Sequence, residues 1–161
     1  MTAEDSQRER LHRLGLLYVR YPIYFVTACT HRRQRILATD AVHGSLLEFG
    51  REGGERGVRI GGYILMPDHL HLFIALDDQS VTLARVVKSL KNTLSKAIRT
   101  AGVPSPHWQK GFFDHVLRSG ESYSQKWQYV RDNPIRAGLV SAVGKWPFSG
   151  EVFSLEYLSD R

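Results

Sequence analysis

The feature that most constrains the fold of this chain is a pair of apolar segments separated by a two-residue turn signal. Residues 58–66 and 69–76 are rich in aliphatic, β-branched and aromatic side chains, and Pro67 and Asp68 stand between them. Segments of this length and composition are typical of strands, and a Pro-Asp dipeptide marks a turn. The pattern therefore predicts a β-hairpin of two antiparallel strands.

The segments around this hairpin predict the remaining elements and their order. Residues 23–30 and 112–118 have the composition of further strands. Helices are predicted from the Thr39 cap to before Gly53, over residues 82–101, and over residues 122–133, where Pro134 ends the last one. The first six elements, β-α-β-β-α-β, match the ferredoxin-like split βαβ arrangement of the α+β class. We therefore expect an antiparallel sheet with helices on one face, followed by a further C-terminal helix.

The length of 161 residues suits one domain, which we place at residues 21–150. Residues 1–20 are expected to form a basic arm or a short helix, and residues 151–161 a C-terminal tail. No segment approaches the roughly 18 apolar residues that a membrane span needs. The first twenty residues also lack the apolar core of a secretory signal. With Cys29 as the single cysteine, these features predict a protein of a reducing cytoplasm.

The chain is basic, with 22 Lys and Arg against 16 Asp and Glu and a formal net charge of +6. Such an excess is typical of nucleic-acid-binding proteins, although many basic proteins bind nothing anionic specifically. Three groups of side chains are candidates for phosphate contacts: Arg32, Arg33 and Arg35 after the first strand; Arg85, Lys88, Lys96 and Arg99 along one stripe of the second helix; and Lys126 and Arg131 on the last helix. For the stripe of the second helix, the alternative is a solvated polar face. Four aromatic residues are candidates either for stacking on unpaired bases or for the core: Trp108, Phe112, Phe113 and Trp127.

Two histidines begin the second strand of the predicted hairpin. His69 and His71 are two residues apart, so on a strand their side chains point to one face while Leu70 points to the other. Two neighbouring imidazoles can bind a divalent metal ion, but they leave its coordination incomplete. The alternative is a pair of histidines that serve packing or solvation.

The last predicted helix carries a second candidate group. Tyr129 and Asn133 are four residues apart and would share one face of a helix. A tyrosine on such a helix can be a core residue, and an asparagine before a proline can be a helix cap. The helix alone leaves these alternatives open.

Considered together, the two groups resemble a known family. The strings MPDHLHLFIAL, preceded by GGYI, and YVRDNPIRAGLV resemble the REP-associated tyrosine transposases, which belong to the HUH-type single-tyrosine transposases. YFVTACTHRRQRIL is similar to the first strand of that family and its basic turn, WQKGFFDHVLR to its fourth strand, and WPFSG to its terminal motif. The resemblance covers most of the chain.

The resemblance implies a role for each matching residue. His69 and His71 match the metal-binding histidines, Tyr129 the nucleophile, and Asn133 the polar residue that completes the metal site. The metal would be Mg²⁺ or Mn²⁺, with substrate phosphate and water as further oxygen ligands. Asp68 and His115 are accessory candidates. The implied function is a metal-dependent single-strand DNA endonuclease and strand transferase that cuts hairpin-forming palindromic repeats through a 5′-phosphotyrosine intermediate.

Other functions are compatible with the same residues. A replication initiator or relaxase shares the histidine strand and the tyrosine, although the segment after Tyr129 favours the transposase branch. A non-catalytic nucleic-acid-binding module would use only the basic and aromatic surface, and a metal-dependent hydrolase would use water as its nucleophile. For the enzyme, we expect Tyr129 and Asn133 to lie beside His69 and His71, either within one chain or across a homodimer.

Overall fold

A computed structural model describes residues 16–19, 23–77 and 81–157. The strands are β1 (Leu16–Val19), β2 (Ile23–Cys29), β3 (Val58–Leu65), β4 (His69–Leu76), β5 (Phe113–Leu117), β6 (Ser149–Glu151) and β7 (Ser154–Tyr157). The helices are α1 (Asp40–Gly53), α2 (Leu83–Thr100), α3 (Gly120–Arg131) and α4 (Asn133–Arg136), with short 3₁₀ turns at His31–Arg33 and Gly54–Arg56.

Five of the strands form one antiparallel sheet in the order β5-β2-β4-β3-β6. The predicted hairpin is the β3–β4 pair at the centre of this order, joined through the turn at Pro67 and Asp68. Without the added edge strand β6, the order is that of a ferredoxin-like sheet, which confirms the predicted fold class. Strands β1 and β7 form a separate parallel pair.

Helices α1 and α2 cover one face of the sheet, which we call the helical face. Each begins at a threonine cap, because the hydroxyl of Thr39 accepts the backbone N–H of Val42 and that of Thr82 accepts the N–H of Arg85, both at 3.2 Å. The apolar side of α2 is buried as its spacing predicts, against strand residues that include Leu70. This face holds the larger core of the protein.

Helix α3 lies on the opposite face, which we call the reactive face. It approaches the sheet closely because β3 has glycines at Gly61 and Gly62, where the β3–β4 register shifts. A Cβ atom added at Gly62 would lie 2.7 Å from the indole ring of Trp127, and one at Gly61 would lie 2.9 Å from the hydroxyl of Tyr123. The two glycines therefore set the distance between α3 and the sheet.

The end of the last predicted helix differs from the structure. Helix α3 ends at Arg131, two residues before the predicted end, and Asn133 begins α4 after a break at Asp132. Pro134 does not stop the chain from being helical because it occupies the first turn of α4, where no N–H is needed.

The terminal predictions also need revision where the structure describes them. Of the segment predicted as an arm or helix, Leu16–Val19 is a strand, while residues 1–15 and 20 lie outside the described residues. The predicted tail contains β7, in which Leu155 is buried. Within the described ranges, no helix is long and apolar enough to span a membrane; the cytoplasmic location stays a prediction.

Candidate active site

The two predicted metal ligands lie side by side at the start of β4. The rings of His69 and His71 are 4.9 Å apart, and both line an open pocket of about 480 Å³ on the reactive face. Leu70 between them is buried in the core of the helical face. Strand alternation thus separates the imidazoles from the core residues, as the sequence predicts.

His71 is held in place by a neighbour on the adjacent strand. Its Nδ1 atom lies 2.8 Å from the hydroxyl oxygen of Thr27, which is its cross-strand partner. Burial lowers the pKa of His71 to about 3, and the charges of His69, Lys126 and Arg136 act in the same direction. The ring is therefore neutral at neutral pH, which is the form in which imidazole binds metal ions, and Nε2 remains for a ligand.

His69 is oriented by a carboxylate that is itself held by an arginine. The Nδ1 atom of His69 donates to Oδ1 of Asp68 at 2.8 Å, while Nε of Arg33 donates to Oδ2 of the same carboxylate at 2.9 Å. Burial acts to raise the pKa of Asp68, but the bonds from His69 and Arg33 outweigh it and bring the pKa below its ordinary value. The backbone of Arg33 is left-handed, with φ of 55°. This uncommon conformation places the guanidinium against Asp68.

The two tyrosines of α3 have opposite environments. Tyr123 is buried, burial raises its pKa to about 12, and its hydroxyl accepts the backbone N–H of Gly62 at 3.2 Å. Tyr129 is 58% exposed and lines the pocket of the two histidines. A nucleophile must be reached by its substrate, and of these two tyrosines only Tyr129 is placed where a substrate could reach its oxygen.

Arg136 connects Tyr129 to Asn133. Its guanidinium carbon lies 4.0 Å from the centroid of the Tyr129 ring, and Nη2 donates to the Tyr129 carbonyl oxygen at 2.8 Å. The same nitrogen donates to Oδ1 of Asn133. The ammonium of Lys126 lies 5.6 Å from the tyrosine ring. The pocket therefore presents cations around the candidate nucleophile, and the Asn133 oxygen is engaged by one of them.

The pocket brings together His69, His71, Tyr129 and Asn133 from one chain. Although Asn133 belongs to α4 rather than α3, the turn at Asp132 keeps it beside the tyrosine. Across residues 16–19, 23–77 and 81–157, no cluster of three or more His, Cys, Asp and Glu side chains has metal-binding geometry. A metal ion here would need ligands other than those side-chain types to complete its coordination.

Comparison with known proteins identifies the family of the chain. Residues 19–133 match the family model described as Transposase IS200 like, which reaches from before β2 to the first residue of α4. The chain belongs to this IS200-like transposase family. This chain is 24% identical to the REP-associated tyrosine transposase of Escherichia coli (strain K12) over 128 residues. The match covers 78% of this chain and 73% of that protein.

A solved structure gives the same result. The structure described as a REP-associated tyrosine transposase bound to a REP hairpin matches this chain with a TM-score of 0.60 and 26% sequence identity. The match covers 82% of this chain and 78% of that one. The resemblance inferred from the motifs is thus confirmed.

The basic candidates of the transposase fall on both faces. Lys126 lines the pocket, and Arg33 is bound to Asp68 beside it. The stripe of α2 is solvent-exposed, but α2 packs on the helical face, away from the histidines; its members are Arg85, Lys88, Lys96 and Arg99. Arg32, Arg35 and Arg131 are exposed, with the guanidinium of Arg131 over the Trp127 ring. DNA contacts by all these residues stay predictions.

The aromatic candidates separate clearly by burial. Trp127 is buried, Phe112 packs against the core of the helical face, and the Trp108 indole N–H is bonded to Lys91 and Ser95. Phe113 is 71% exposed on β5. His115, also exposed on β5, is the cross-strand partner of Phe25.

Sequence reasoning missed Thr27 and the local role of Arg33. Thr27 stands in a strand whose alternation is visible, but its partnership with His71 depends on which strand lies beside β4. In a ferredoxin-like sheet the first strand lies beside the third. Applying that order to the predicted strands would have placed the Thr27 hydroxyl near the histidines. For Arg33, the left-handed turn has no glycine to signal it.

Proposed function

We propose that this transposase is a metal-dependent single-strand DNA endonuclease and strand transferase that uses Tyr129 as its nucleophile. The observation that carries the proposal is the exposed Tyr129 ring in one pocket with His69 and His71, next to the cations of Lys126 and Arg136. A phosphodiester in this pocket would meet a nucleophile and positive charge together. Positive charge placed where negative charge develops is a major source of rate enhancement.

The chemistry needs no external energy source. The Tyr129 oxygen attacks phosphorus as the phenol loses its proton, the bond from phosphorus to the 3′ oxygen breaks, and that oxygen takes up a proton. The products are a 5′-phosphotyrosine and a free 3′-OH. A second 3′-OH then attacks the same phosphorus and displaces the Tyr129 phenol, which regains its proton. Because one phosphodiester-type bond is exchanged for another at each step, cutting and rejoining need no ATP.

His69 and His71 are the residues that would hold Mg²⁺ or Mn²⁺. Both use Nδ1 for the protein contacts already described, so Nε2 is the nitrogen that remains for the ion. When bound, such an ion would polarise the scissile phosphate and stabilise charge in the transition state. Oxygen atoms of the phosphate and of water suit the remaining positions. Asn133 can join them only if its oxygen leaves Arg136.

The substrate we propose is DNA whose single strand folds into a hairpin, as palindromic repeats do. The support is the solved relative described as bound to a REP hairpin, together with the basic side chains around the pocket. Lys126, Arg131 and the exposed arginines after β2 would contact phosphates, which gives affinity and salt dependence without sequence selection.

The experiment is a covalent-adduct assay. Labelled hairpin DNA with single-stranded flanks is incubated with the protein and Mg²⁺ or Mn²⁺, and the mixture is separated on a denaturing protein gel. We expect a labelled protein band that is lost in Tyr129→Phe and in the presence of a chelator. A DNA cut that persists in Tyr129→Phe would instead indicate water as the nucleophile. Salt-sensitive binding without cleavage across a panel of hairpins would indicate a binding module.

A further inference from the structure

The edge strand β5 exposes one large aromatic ring on the reactive face. Phe113 is 71% exposed, a greater exposure than that of Tyr129 or Val143, the other large hydrophobic residues exposed in the described ranges. The ring is carried by a regular strand, because Phe113 pairs with Thr27 of β2 in antiparallel register.

The position of Phe113 relative to the histidines follows from the sheet register. Phe113 is opposite Thr27, and Thr27 is opposite His71, so the three residues form one row across the sheet. Directly paired residues project to the same face, and neighbouring strands are about 4.8 Å apart. The Phe113 backbone therefore lies about 10 Å from that of His71, which is within one or two nucleotides of a phosphate bound at the histidines.

The backbone before Phe113 is fixed in three ways. The Lys91 ammonium donates to the carbonyl oxygens of Gln109 at 3.1 Å and Gly111. Gly111 has a φ of +73°, a conformation that suits glycine. The next side chain, Phe112, packs into the core of the helical face, so strand alternation turns Phe113 to the reactive face. A ring presented on a fixed backbone loses little entropy when it binds.

We propose that Phe113 is a stacking platform for an unpaired base in the single-stranded DNA beside the hairpin. The inference rests on the proposed function and adds a binding residue outside the pocket. Every base has an aromatic face, so such a contact tolerates any sequence. The nearby charges favour DNA over a second copy of this chain, because Lys126 and Arg136 line the pocket on the same face. A self-association surface with these cations would place like charges together.

The test compares two DNA ligands that differ only in the single-stranded flank. One is the hairpin alone, and the other carries flanks on both sides with 2-aminopurine at successive positions. Binding is measured with a chelator present, so that no cutting occurs. The variants are Phe113→Ile, which keeps an apolar strand-forming side chain without the ring, and Phe113→Trp, which keeps a ring. Val143→Ala is the matched control, since Val143 is 58% exposed and lies outside the site.

We expect Phe113→Ile to weaken binding of the flanked hairpin by roughly five-fold to a hundred-fold, and to leave binding of the bare hairpin unchanged. The wild-type protein should quench 2-aminopurine at one or two flank positions, and Phe113→Trp should retain both affinity and quenching. Equal affinities of wild type and Phe113→Ile for the flanked hairpin would overturn the inference. The inference would also be overturned if Phe113→Ile changed the oligomeric state without weakening binding of the flanked hairpin. That result would indicate self-association through Phe113.

The two proposals fail in distinguishable ways. If the wild-type protein forms the Tyr129 adduct but its affinity for the flanked hairpin does not depend on Phe113, only the stacking inference is wrong. If the wild-type protein neither binds nor cuts any hairpin, the proposed function is wrong, and the stacking inference falls with it.

Discussion

The two faces of the sheet use alternate residues of the same strands for different purposes. On β4, Leu70, Leu72 and Ile74 point to the helical face, where they are almost completely buried beneath α1 and α2. His69 and His71 point to the reactive face and remain partly exposed in an open pocket. One strand therefore supplies both core residues and candidate site residues, which alternate along its length.

The difference between the faces indicates where stability and reactivity reside. The helical face is closed by two helices with an apolar interior. The reactive face is closed only beyond the histidines, where Tyr123 and Trp127 of α3 cover Phe73. The packed half of the reactive face anchors α3, and the open half leaves Tyr129 accessible. Substitutions on the two faces should therefore affect different measurements.

The largest expected effect separates the two tyrosines of α3. Tyr129→Phe should abolish the covalent adduct, because it removes the attacking oxygen, and should change the free energy of unfolding by less than about 0.5 kcal/mol, as for most exposed positions. Tyr123→Phe should retain the adduct and lower stability by about 1–2 kcal/mol, since the Gly62 N–H loses its acceptor. The adduct assay and urea denaturation measure the two quantities. Loss of the adduct in a folded Tyr123→Phe protein would contradict this division.

The next comparison uses neighbouring residues that point to opposite faces. His71→Ala should lower the cleavage rate by about a hundred-fold or more, because one of two candidate ligands is lost. Leu72→Ala should instead lower the free energy of unfolding by about 2–5 kcal/mol, because it leaves a cavity in the core. Its cleavage rate per folded molecule should stay near the wild-type value. If both variants lose the same fraction of activity and stability, the two faces are not functionally separate.

This separation was predictable from the sequence because it depends on local periodicity. The alternation around Leu70 assigns His69 and His71 to one face whatever the rest of the chain does. The Asp132 break and the contact of Asn133 with Arg136 were not predictable, since a proline in the first turn allows a new helix to start at once. Which face α3 covers depends on packing over distant residues, which no local pattern encodes.

A third comparison concerns glycines on the two faces. Gly62→Ala should push α3 away from the sheet, because the new Cβ would meet the Trp127 ring at 2.7 Å. We expect a stability loss of about 1–3 kcal/mol and a fall in adduct formation of up to about a hundred-fold as Tyr129 shifts from the histidines. Gly44 of α1 is the matched control, since nothing lies within 4 Å of its added Cβ. Gly44→Ala should stabilise the protein by about 0.5–1 kcal/mol and leave activity unchanged.

The cause of the Gly62 effect can be checked separately. Trp127→Phe in the Gly62→Ala background reduces the ring that meets the new methyl group. Partial recovery of adduct formation in the double variant would show that helix position is responsible. A Gly62→Ala protein with wild-type stability and activity would mean that α3 does not depend on this close approach.

The smallest expected effect tests whether Asp68 orients His69. Asp68→Ala removes the acceptor for Nδ1 of His69, and loss of such a partner weakens metal binding by about ten-fold to a hundred-fold. Asp68→Asn keeps an acceptor oxygen and should stay within about three-fold of wild type. The control is Asp77→Ala at the far end of β4, where Asp77 forms a comparable ion pair with Arg59. Mn²⁺ titration of the DNA-free protein measures affinity, and cleavage at saturating Mn²⁺ measures the remaining rate.

A positioning role for Asp68 predicts a specific division between these two measurements. The Mn²⁺ affinity of Asp68→Ala should fall while its rate at saturating Mn²⁺ stays close to wild type, because Tyr129 and His71 are unchanged. A fall in rate without a change in affinity would place Asp68 in contact with the substrate instead. If Asp77→Ala reproduces the affinity loss, the effect comes from the charge of the chain and not from the bond to His69. Either result would mean that Asp68 does not act by orienting His69.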